Sequence, residues 1–366
     1  MFQSVRMRGF RGLRDFSMGN LGRINLLVGR NNSGKSSVLE GLELLSSRGS
    51  VRTLWNATFR RGERFWVEDE RSRYTEGDVS HIFFGHAIDL DSSVEISATS
   101  SYGSEVVSIS VIPREPEQKT LFDEQGSLSV GDELSLQIQW RNGSPKSEIE
   151  IPLSPRGGIS SRNVMRRQGD PAESPSIQFI STAALSVDEV LGLFDEVVLT
   201  PEEGLLVEAL KTIEPSIERI ASIGGDRTRY PNSRQGAIVV KTTEFRDRIP
   251  IGSMGDGMWR MLGIALSLVN AENGVLLIDE VDTGLHYSVL SSMWRLVKET
   301  AERLNVQVFA TTHSRDCYES LAAISRDDVS ENSAVTIQRI EVGLERAVAF
   351  TEQEIVAASE RGIEVR

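Results

Sequence analysis

The chain has 366 residues, 39% of them hydrophobic and 25% charged, which is the composition of a globular protein with a substantial core. Its net charge of −13 excludes a surface that is basic throughout, and its single cysteine, Cys317, excludes an internal disulfide and a multi-cysteine zinc site. No apolar run is long enough to span a membrane and the first residues do not resemble a signal peptide, so we expect a cytoplasmic protein.

The N-terminal region predicts two strands and a helix. Residues 2–10 and 23–29 have strand patterns, and residues 36–45 have the apolar spacing of a helix. A polar loop with two glycines joins the second strand to the helix. Residues 46–91 are rich in arginine and show no clear period.

The middle of the chain predicts antiparallel hairpins. Apolar and polar residues alternate over 92–112 and 133–153, and prolines and glycines separate the strands. Residues 154–176 contain prolines, glycines and arginines but few large apolar residues, which predicts a mobile loop. Residues 186–222 predict two or three helical pieces.

The last third alternates strands with helices. After strand-like residues 236–251, the predicted elements are a helix at 257–271, a strand at 275–278, a helix at 287–304 and a strand at 306–310. This order indicates a parallel sheet. The whole chain therefore predicts an α/β fold in four parts: an N-terminal part of the core at 1–91, an antiparallel β insert at 92–180, a helical subdomain at 181–235 and a C-terminal part of the core at 236–366.

The clearest chemical motif is GRNNSGKS at residues 29–36, which fits the phosphate-binding loop pattern and lies between a predicted strand and helix. The backbone N–H groups of such a loop surround the β-phosphate, the lysine binds the β and γ phosphates, and the serine hydroxyl can bind Mg²⁺. The predicted nucleotide-binding residues here are Asn31, Asn32, Ser33, Gly34, Lys35 and Ser36.

A pair of carboxylates follows the buried strand at 275–278. The carboxyl ends of parallel strands are where ligands bind in such sheets. We expect Asp279 to bind Mg²⁺ and Glu280 to act as the general base on the attacking water. The next predicted strand ends in TTHS at 311–314, which would bring His313 close to a γ-phosphate.

A fourth motif, SMGDG at residues 253–257, precedes the helix predicted at 257–271. A serine and two glycines at a helix start can form an anion-binding nest, whereas the simpler interpretation is a helix cap by Ser253. We include Ser253, Gly255, Asp256 and Gly257 among the nucleotide-binding candidates because they lie shortly before Asp279.

This order of motifs resembles that of ATP-binding-cassette ATPases, with an ABC-type P-loop fold, a mixed or parallel core sheet, an antiparallel insert and a helical subdomain. Those enzymes act as head-to-tail dimers on ATP and Mg²⁺. The resemblance implies that Ser253, Gly255 and Gly257 act on ATP bound to the Lys35 of a second copy. It also implies that Asp282 lies in the loop that crosses the same interface.

Within that superfamily, the details resemble the RecF and OLD-like (overcoming lysogenization defect) group. The segment DEVDTGLH at 279–286, the opening VRMRGFRGL at 5–13 and the segment INLLVGRNN at 24–32 carry this resemblance. Two features depart from the cassette pattern. Met254 and Asp256 are unusual in the signature, and no glutamine stands between Gln3 and Gln118, so His81 or His86 is the candidate to replace the missing Q-loop glutamine.

The residues after His313 are too few for the Toprim nuclease domain of OLD proteins. We therefore expect an ATPase, acting as a homodimer or larger homo-oligomer, whose effector is a separate nuclease or toxin in bacterial antiphage defence. The alternatives are a RecF-like DNA-repair ATPase, a transporter cassette, which Leu285 and His286 speak against, and a slowly hydrolysing scaffold. The arginines of 48–73 and 156–167 form either a nucleic-acid groove or a solvated face paired to nearby acids.

Overall fold

The computed structural model describes residues 1–69, 72–90, 92–101, 103–114, 134–166, 175–224, 236–326, 335–363 and 365. The chain forms two compact units. Unit 1 consists of Met1–Gly19, Ser36–Ser174 and Gly343–Ala347, and unit 2 consists of Asn20–Lys35, Pro175–Val342 and Val348–Arg366. In the described part of the chain, no helix is both long enough and apolar enough to cross a membrane.

Unit 1 contains a six-stranded antiparallel sheet in the order β2-β1-β6-β7-β8-β9. One face is apolar, since Val94, Ile96 and Ala98 are buried while the side chains between them are not. This confirms the strand predictions for 2–10, 92–112 and 133–153. The strands are β1 (Phe2–Phe10), β2 (Leu13–Met18), β6 (Ser93–Ser100), β7 (Gly103–Pro113), β8 (Leu134–Asn142) and β9 (Ser144–Pro152).

Helix α1 (Lys35–Ser46) confirms the helix predicted after the glycine-containing loop. It packs so closely that a Cβ on Gly41 would lie 2.6 Å from Cε of Met7 in β1. A second helix, α2 (Val51–Arg60), begins at Ser50, whose side chain accepts a hydrogen bond from the N–H of Thr53. The arginine-rich segment without a clear period therefore starts with a helix.

A smaller three-stranded sheet completes unit 1. It contains β4 (Arg64–Asp69), β5 (Ser72–Asp78) and β10 (Gly158–Ser160), in the order β10-β5-β4, and is followed by helix α3 (Ser161–Arg166). The prediction of a mobile loop over 154–176 is thus wrong for residues 158–166, because β10 pairs with β5 and so gains backbone hydrogen bonds. Residues 167–174 of that prediction, and Arg71 and Arg167 of the basic segments, lie outside the described residues.

Unit 2 is built on a second six-stranded sheet in the order β11-β15-β16-β3-β17-β18, parallel except for the pairing of β17 with β18. Every residue of β3, β15 and β16 is buried, as expected for parallel strands covered on both faces. The strands are β3 (Ile24–Val28), β11 (Ile177–Ile180), β15 (Val275–Ile278), β16 (Gln307–Thr311), β17 (Val335–Arg339) and β18 (Val348–Thr351).

In the described part of unit 2, six α-helices and a small sheet accompany this sheet. The long helices α6 (Asp256–Asn270) and α7 (Tyr287–Arg303) confirm the strand–helix alternation predicted for the last third, and α7 contributes the fully buried Trp294 to the core. The other elements are α4 (Val187–Val197), α5 (Glu203–Lys211), α8 (Arg315–Arg326), α9 (Glu352–Glu360), β12 (Ile217–Ile223), β13 (Ala237–Thr242) and β14 (Ile249–Pro250).

The helical prediction for 186–222 is correct for α4 and α5 but wrong at its end, where β12 begins. Ile217 and Ile220 are both buried, and a spacing of three is the helical signal. In the structure, the register of β12 on β13 shifts between Ile217 and Arg219, so a bulged strand turns both isoleucines to the same side.

Candidate functional site

The loop between β3 and α1 has the backbone shape of an anion cradle. Gly29 has φ +145°, Asn32 +62° and Gly34 +99°, which turns successive N–H groups towards one side. A Cβ on Gly29 would lie only 2.2 Å from the carbonyl oxygen of Ile340, so this position accepts only glycine. Strand β3 ends at Val28, immediately before Gly29.

Lys35 lies folded back into this loop. Its side chain is buried, and Nζ donates to the carbonyl oxygens of Gly29 and Arg30, each at 2.9 Å. Burial lowers the pKa of Lys35, while the charges of Asp279 and Glu280 act in the opposite sense. The ammonium group and the two carboxylates are therefore close enough to interact. Ser36 follows in the chain and begins the segment that belongs to unit 1.

Asp279 stands at the end of β15 and is bonded to two hydroxyls. Thr311 Oγ1 donates to Asp279 Oδ1 at 2.6 Å, and Thr182 Oγ1 donates to Oδ2 at 3.3 Å. Thr311 is the last residue of β16, the neighbouring parallel strand. The adjacent strand ends thus fix the orientation of the carboxylate that the sequence predicts to bind Mg²⁺.

Glu280 is half-buried and has φ +49°, a left-handed conformation that is unusual for glutamate. Its N–H donates to Thr311 Oγ1 at 2.8 Å, and Thr283 Oγ1 donates to its Oε2 at 3.3 Å. Its Oε1 lies 4.0 Å from Nε2 of His313. The structure therefore brings the candidate base and the candidate γ-phosphate sensor together in unit 2.

Arg260 is a residue of this site that the motif analysis missed. It lies in α6, is 2% exposed, and donates to the carbonyl oxygens of Ser181 at 2.8 Å, Asp279 at 2.7 Å and Glu280 at 2.8 Å. It bonds to the backbone carbonyl groups of the turn that carries both carboxylates, whereas Thr311 bonds to the N–H of Glu280. Its signal in the sequence is a charged residue within an otherwise apolar helix face.

The SMGDG segment forms a turn before α6. Gly255, with φ +98°, is the N-cap residue, and no side chain caps the helix, so the capping interpretation of Ser253 is not supported. Ser253, Gly255 and Asp256 are exposed, while a Cβ on Gly257 would lie 2.9 Å from the carbonyl oxygen of Gly284. This candidate signature therefore packs on the loop that follows Asp282.

Asp282 is held by the second threonine of the TTHS segment. Thr312 Oγ1 donates to Asp282 Oδ1 at 2.6 Å and accepts from the N–H of Ser314 at 2.9 Å.

The two candidate Q-loop substitutes, His81 and His86, lie in unit 1, where their Nδ1 atoms are 3.4 Å apart and His81 Nε2 is 3.6 Å from Asp78. The two histidines contact each other, and His81 also contacts Asp78.

A cavity of about 850 Å³ opens beside the phosphate-loop candidate. It is lined by Gly29, Arg30, Asn31, His313 and residues 339–342, so it joins the two motifs to the end of β17. Arg339 and Glu341 in this wall form an ion pair with Nε and Oε1 2.8 Å apart. No motif marks residues 339–342 in the sequence, because they reach the site only through the pairing of β17 with β3.

Solved structures define the class of fold. The head of an SMC protein bound to the C-winged helix domain of ScpA covers 96% of this chain and 98% of that chain, with a TM-score of 0.54 and 13% identity. A second SMC head with an extended coiled coil, bound to the C-terminal domain of ScpA from Pyrococcus furiosus, covers 98% of both chains, with a TM-score of 0.52 and 12% identity. The fold is therefore the ABC-type P-loop fold of SMC heads, as predicted.

Sequence comparison gives the family. The chain belongs to the family described as "AAA domain, putative AbiEii toxin, Type IV TA system", which matches residues 24–316. It is also similar to a protein named ATP/GTP phosphatase from Helicobacter pylori, with 22% identity over 354 residues and 89% of each chain covered.

Proposed function

We propose that this protein binds and hydrolyses ATP with Mg²⁺ and that it does so as a homodimer or larger homo-oligomer. The observation that carries the proposal is the meeting of Lys35, Asp279, Glu280 and His313 at the carboxyl ends of β3, β15 and β16. The name of the Helicobacter pylori relative agrees with a nucleoside triphosphate substrate.

The phosphates would bind at residues 31–36. Backbone N–H groups of the turned loop supply hydrogen bonds, and Lys35 would exchange its bonds to Gly29 and Arg30 for bonds to the β and γ phosphates. The buried position keeps competing water away from the ammonium group.

Mg²⁺ would be held by the Ser36 hydroxyl and the Asp279 carboxylate. Both are hard oxygen donors of the kind that Mg²⁺ prefers, and Thr311 already fixes the Asp279 carboxylate in one orientation. The ion would neutralise charge on the β and γ phosphates. The Asp279 carboxylate would therefore already have the orientation for binding Mg²⁺ before the nucleotide binds.

Glu280 would take the proton of the attacking water, and His313 would contact the γ-phosphate. The 4.0 Å between Glu280 Oε1 and His313 Nε2 lets one imidazole contact both the base and the phosphate region. The exposed Ser253, Gly255 and Asp256, with Gly257 behind them, would complete the site on ATP held by another copy. The departures at Met254 and Asp256 favour slow turnover.

We infer a biological setting from the same features. The DEVDTGLH segment resembles that of the RecF and OLD-like ATPases, and we propose that the chain acts in the cytoplasm in antiphage defence with a separate nuclease or toxin. The alternative is a RecF-like DNA-repair ATPase. A toxin-linked family description supports the first setting.

Nucleic-acid binding is a second candidate function, and it is favoured by the small sheet of unit 1. This sheet joins the two arginine-rich segments through β5 and β10, and Arg156 and Arg162 stack on the rings of Phe65 and Tyr74. Trp66 on β4 is 65% exposed. Aromatic rings beside arginines suit unstacked bases. In contrast, Arg60 and Arg61 pair with Glu43 and Glu40, as the solvated-face interpretation expects.

Oligonucleotide binding by wild type and two tryptophan variants tests this second candidate. If the surface binds single strands, Trp66→Ala weakens an oligonucleotide complex by roughly 10-fold, the range of one stacked base. Trp55, which stacks on Phe59 in the same unit, offers the control Trp55→Phe. Equal binding by wild type and Trp66→Ala contradicts this use of the surface.

The main proposal is tested by ATP turnover and molecular mass for wild type and Glu280→Gln, with and without ATP. We expect Glu280→Gln to lower kcat by about 100-fold or more and to accumulate an ATP-bound dimer or larger species. The matched control is Glu302→Gln, an exposed residue of α7. If Glu280→Gln hydrolyses ATP at the wild-type rate, Glu280 is not the general base. A molecular mass that is the same with and without ATP contradicts a site shared between two copies.

A further inference from the structure

The backbone of Glu280 needs external support. Its φ of +49° lies in the left-handed region, which costs a non-glycine residue about 1–2 kcal/mol and persists only where the surroundings hold it. Glu280 is the second residue after β15 (Val275–Ile278), so the chain leaves the strand and turns within two residues. The contacts of its N–H and C=O groups show what holds this turn.

Two side chains from distant elements hold the two polar groups of the Glu280 backbone. Its N–H donates to Thr311 Oγ1 at 2.8 Å, and its carbonyl oxygen accepts from Nη2 of Arg260 at 2.8 Å. The N–H of Thr283 donates to the same carbonyl oxygen at 3.0 Å, which closes the turn locally. Strand β16 and helix α6 therefore hold the turn from two sides.

The Thr311 hydroxyl has a second role in the same place. It donates its one proton to Asp279 Oδ1 at 2.6 Å while it accepts the N–H of Glu280. Thr311 is fully buried, so water does not compete for either bond. One hydroxyl therefore joins the carboxylate that would hold the metal to the backbone of the base.

We propose that Thr311 is a positioning residue for ATP hydrolysis, because its hydroxyl sets both the orientation of the Asp279 carboxylate and the left-handed turn from which the Glu280 side chain projects. Arg260 supports the same turn. The inference rests on the proposed ATP hydrolysis and extends it to a group that does not touch the nucleotide. It also distinguishes Thr311 from Thr312, whose hydroxyl bonds to Asp282 and to the backbone of Ser314.

The experiment compares Thr311→Val with Thr311→Ser and a matched control. Valine keeps the shape of threonine and removes the hydroxyl, whereas serine keeps the hydroxyl. The control, Thr336→Val, also removes a buried hydroxyl from this sheet, where Thr336 in β17 donates to Asn25 Oδ1 at 3.0 Å. The readouts are kcat, the Mg²⁺ concentration at half-maximal rate, the Kd of ATP with and without Mg²⁺, and Tm.

We expect Thr311→Val to lower kcat and raise the half-saturating Mg²⁺ concentration, each by roughly 10–100-fold, the range for groups that orient a metal ligand. The Kd of ATP without Mg²⁺ changes little, because the loop around Lys35 is intact. Thr311→Ser restores most of kcat and Mg²⁺ affinity. Thr336→Val lowers Tm but leaves kcat and Mg²⁺ dependence at wild-type values.

The proposal is overturned if Thr311→Val lowers Tm as Thr336→Val does and leaves the Mg²⁺ dependence unchanged, or if Thr311→Ser is as impaired as Thr311→Val. If Thr311→Val does not fold, Thr311→Cys, with its weakly hydrogen-bonding thiol, must show the same raised Mg²⁺ requirement. A wild-type chain that binds ATP without hydrolysing it contradicts the proposed function. In that case the ratio of ATP Kd with and without Mg²⁺ still decides whether Thr311 acts through Asp279.

Discussion

Two loops of unit 2 follow parallel strands of one sheet and are shaped in different ways. The loop after β3, at 29–35, takes its form from its own backbone, with glycines at both ends and a lysine bonded to carbonyl groups of the same loop. The loop after β15, at 279–283, takes its form mainly from side chains of β16 and α6. The first loop can therefore be recognised from consecutive residues, although Gly29 also approaches the carbonyl group of Ile340 closely, whereas the second loop depends mainly on side chains that are distant in the chain.

This difference predicts where substitutions act. The conformation of the glycine-containing loop should respond mainly to substitutions within the loop. The carboxylate turn, in contrast, should respond to changes at Arg260 and Thr311, which lie 20 residues before and 31 residues after Glu280 in the chain. Three substitutions test this comparison.

The largest effect is expected for Gly29→Ala. The new Cβ would meet the Ile340 carbonyl oxygen at 2.2 Å, and φ +145° is strained for alanine, so we expect a loss of about 3 kcal/mol or more in unfolding free energy and loss of ATP binding. Denaturant unfolding and nucleotide titration measure both. In Gly192→Ala, on helix α4 with open space around it, stability should rise by about 0.5–1 kcal/mol. Unchanged ATP binding by Gly29→Ala would show that the loop is not shaped by its own glycine.

Arg260→Met should have an intermediate effect. It removes the guanidinium donor from three carbonyl oxygens, of which those of Ser181 and Glu280 keep a backbone donor, and this should cost about 1–3 kcal/mol in unfolding free energy and also lower kcat. Arg52→Met, at an exposed position of α2, should change the unfolding free energy by less than about 0.5 kcal/mol. Calorimetry and steady-state turnover provide the comparison. If the two variants behave alike, the carboxylate turn does not depend on α6.

The smallest effect is expected at Glu280 itself. Because its φ is positive, Glu280→Gly should be more stable than Glu280→Ala by about 1 kcal/mol. At Glu299, an exposed residue in the interior of α7, the order should reverse, with the glycine variant less stable than the alanine variant by about 1 kcal/mol. Thermal unfolding of the four variants gives the answer. The same order at both positions would mean that the turn at Glu280 is not strained.

The sequence predicted elements that depend on continuous patterns. The buried strand Val275–Ile278 was predicted at its observed bounds, because four consecutive apolar residues form one central strand. Helix α1 and the hairpins of unit 1 followed from the same kind of local signal. The helix prediction for 186–222 was wrong at Ile217 and Ile220, because a β-bulge gives these two buried residues the spacing that is typical of a helix.

The site was only partly accessible from the sequence. Lys35, Asp279, Glu280 and His313 stand out as motifs, whereas Arg260 and Thr311 gain their roles from contacts between elements distant in the chain. Residues 339–342 became visible only through the pairing of β17 with β3. The catalytic and binding roles of the motif residues, and the division of the chain at residues 91, 180 and 235, stay predictions.

The position of β3 in its sheet has a consequence for synthesis of the chain. Both neighbours of β3 are made late, since its Asn25 bonds to Val308 of β16 and Thr336 of β17, which lie 283 and 311 residues further on. At roughly 5–20 residues per second, a nascent chain extends for about 15–60 s before β3 can be enclosed. During that time, the apolar INLLV strand is a candidate binding segment for chaperones. Ribosome-bound chains that stop before β17 should therefore fail to retain nucleotide.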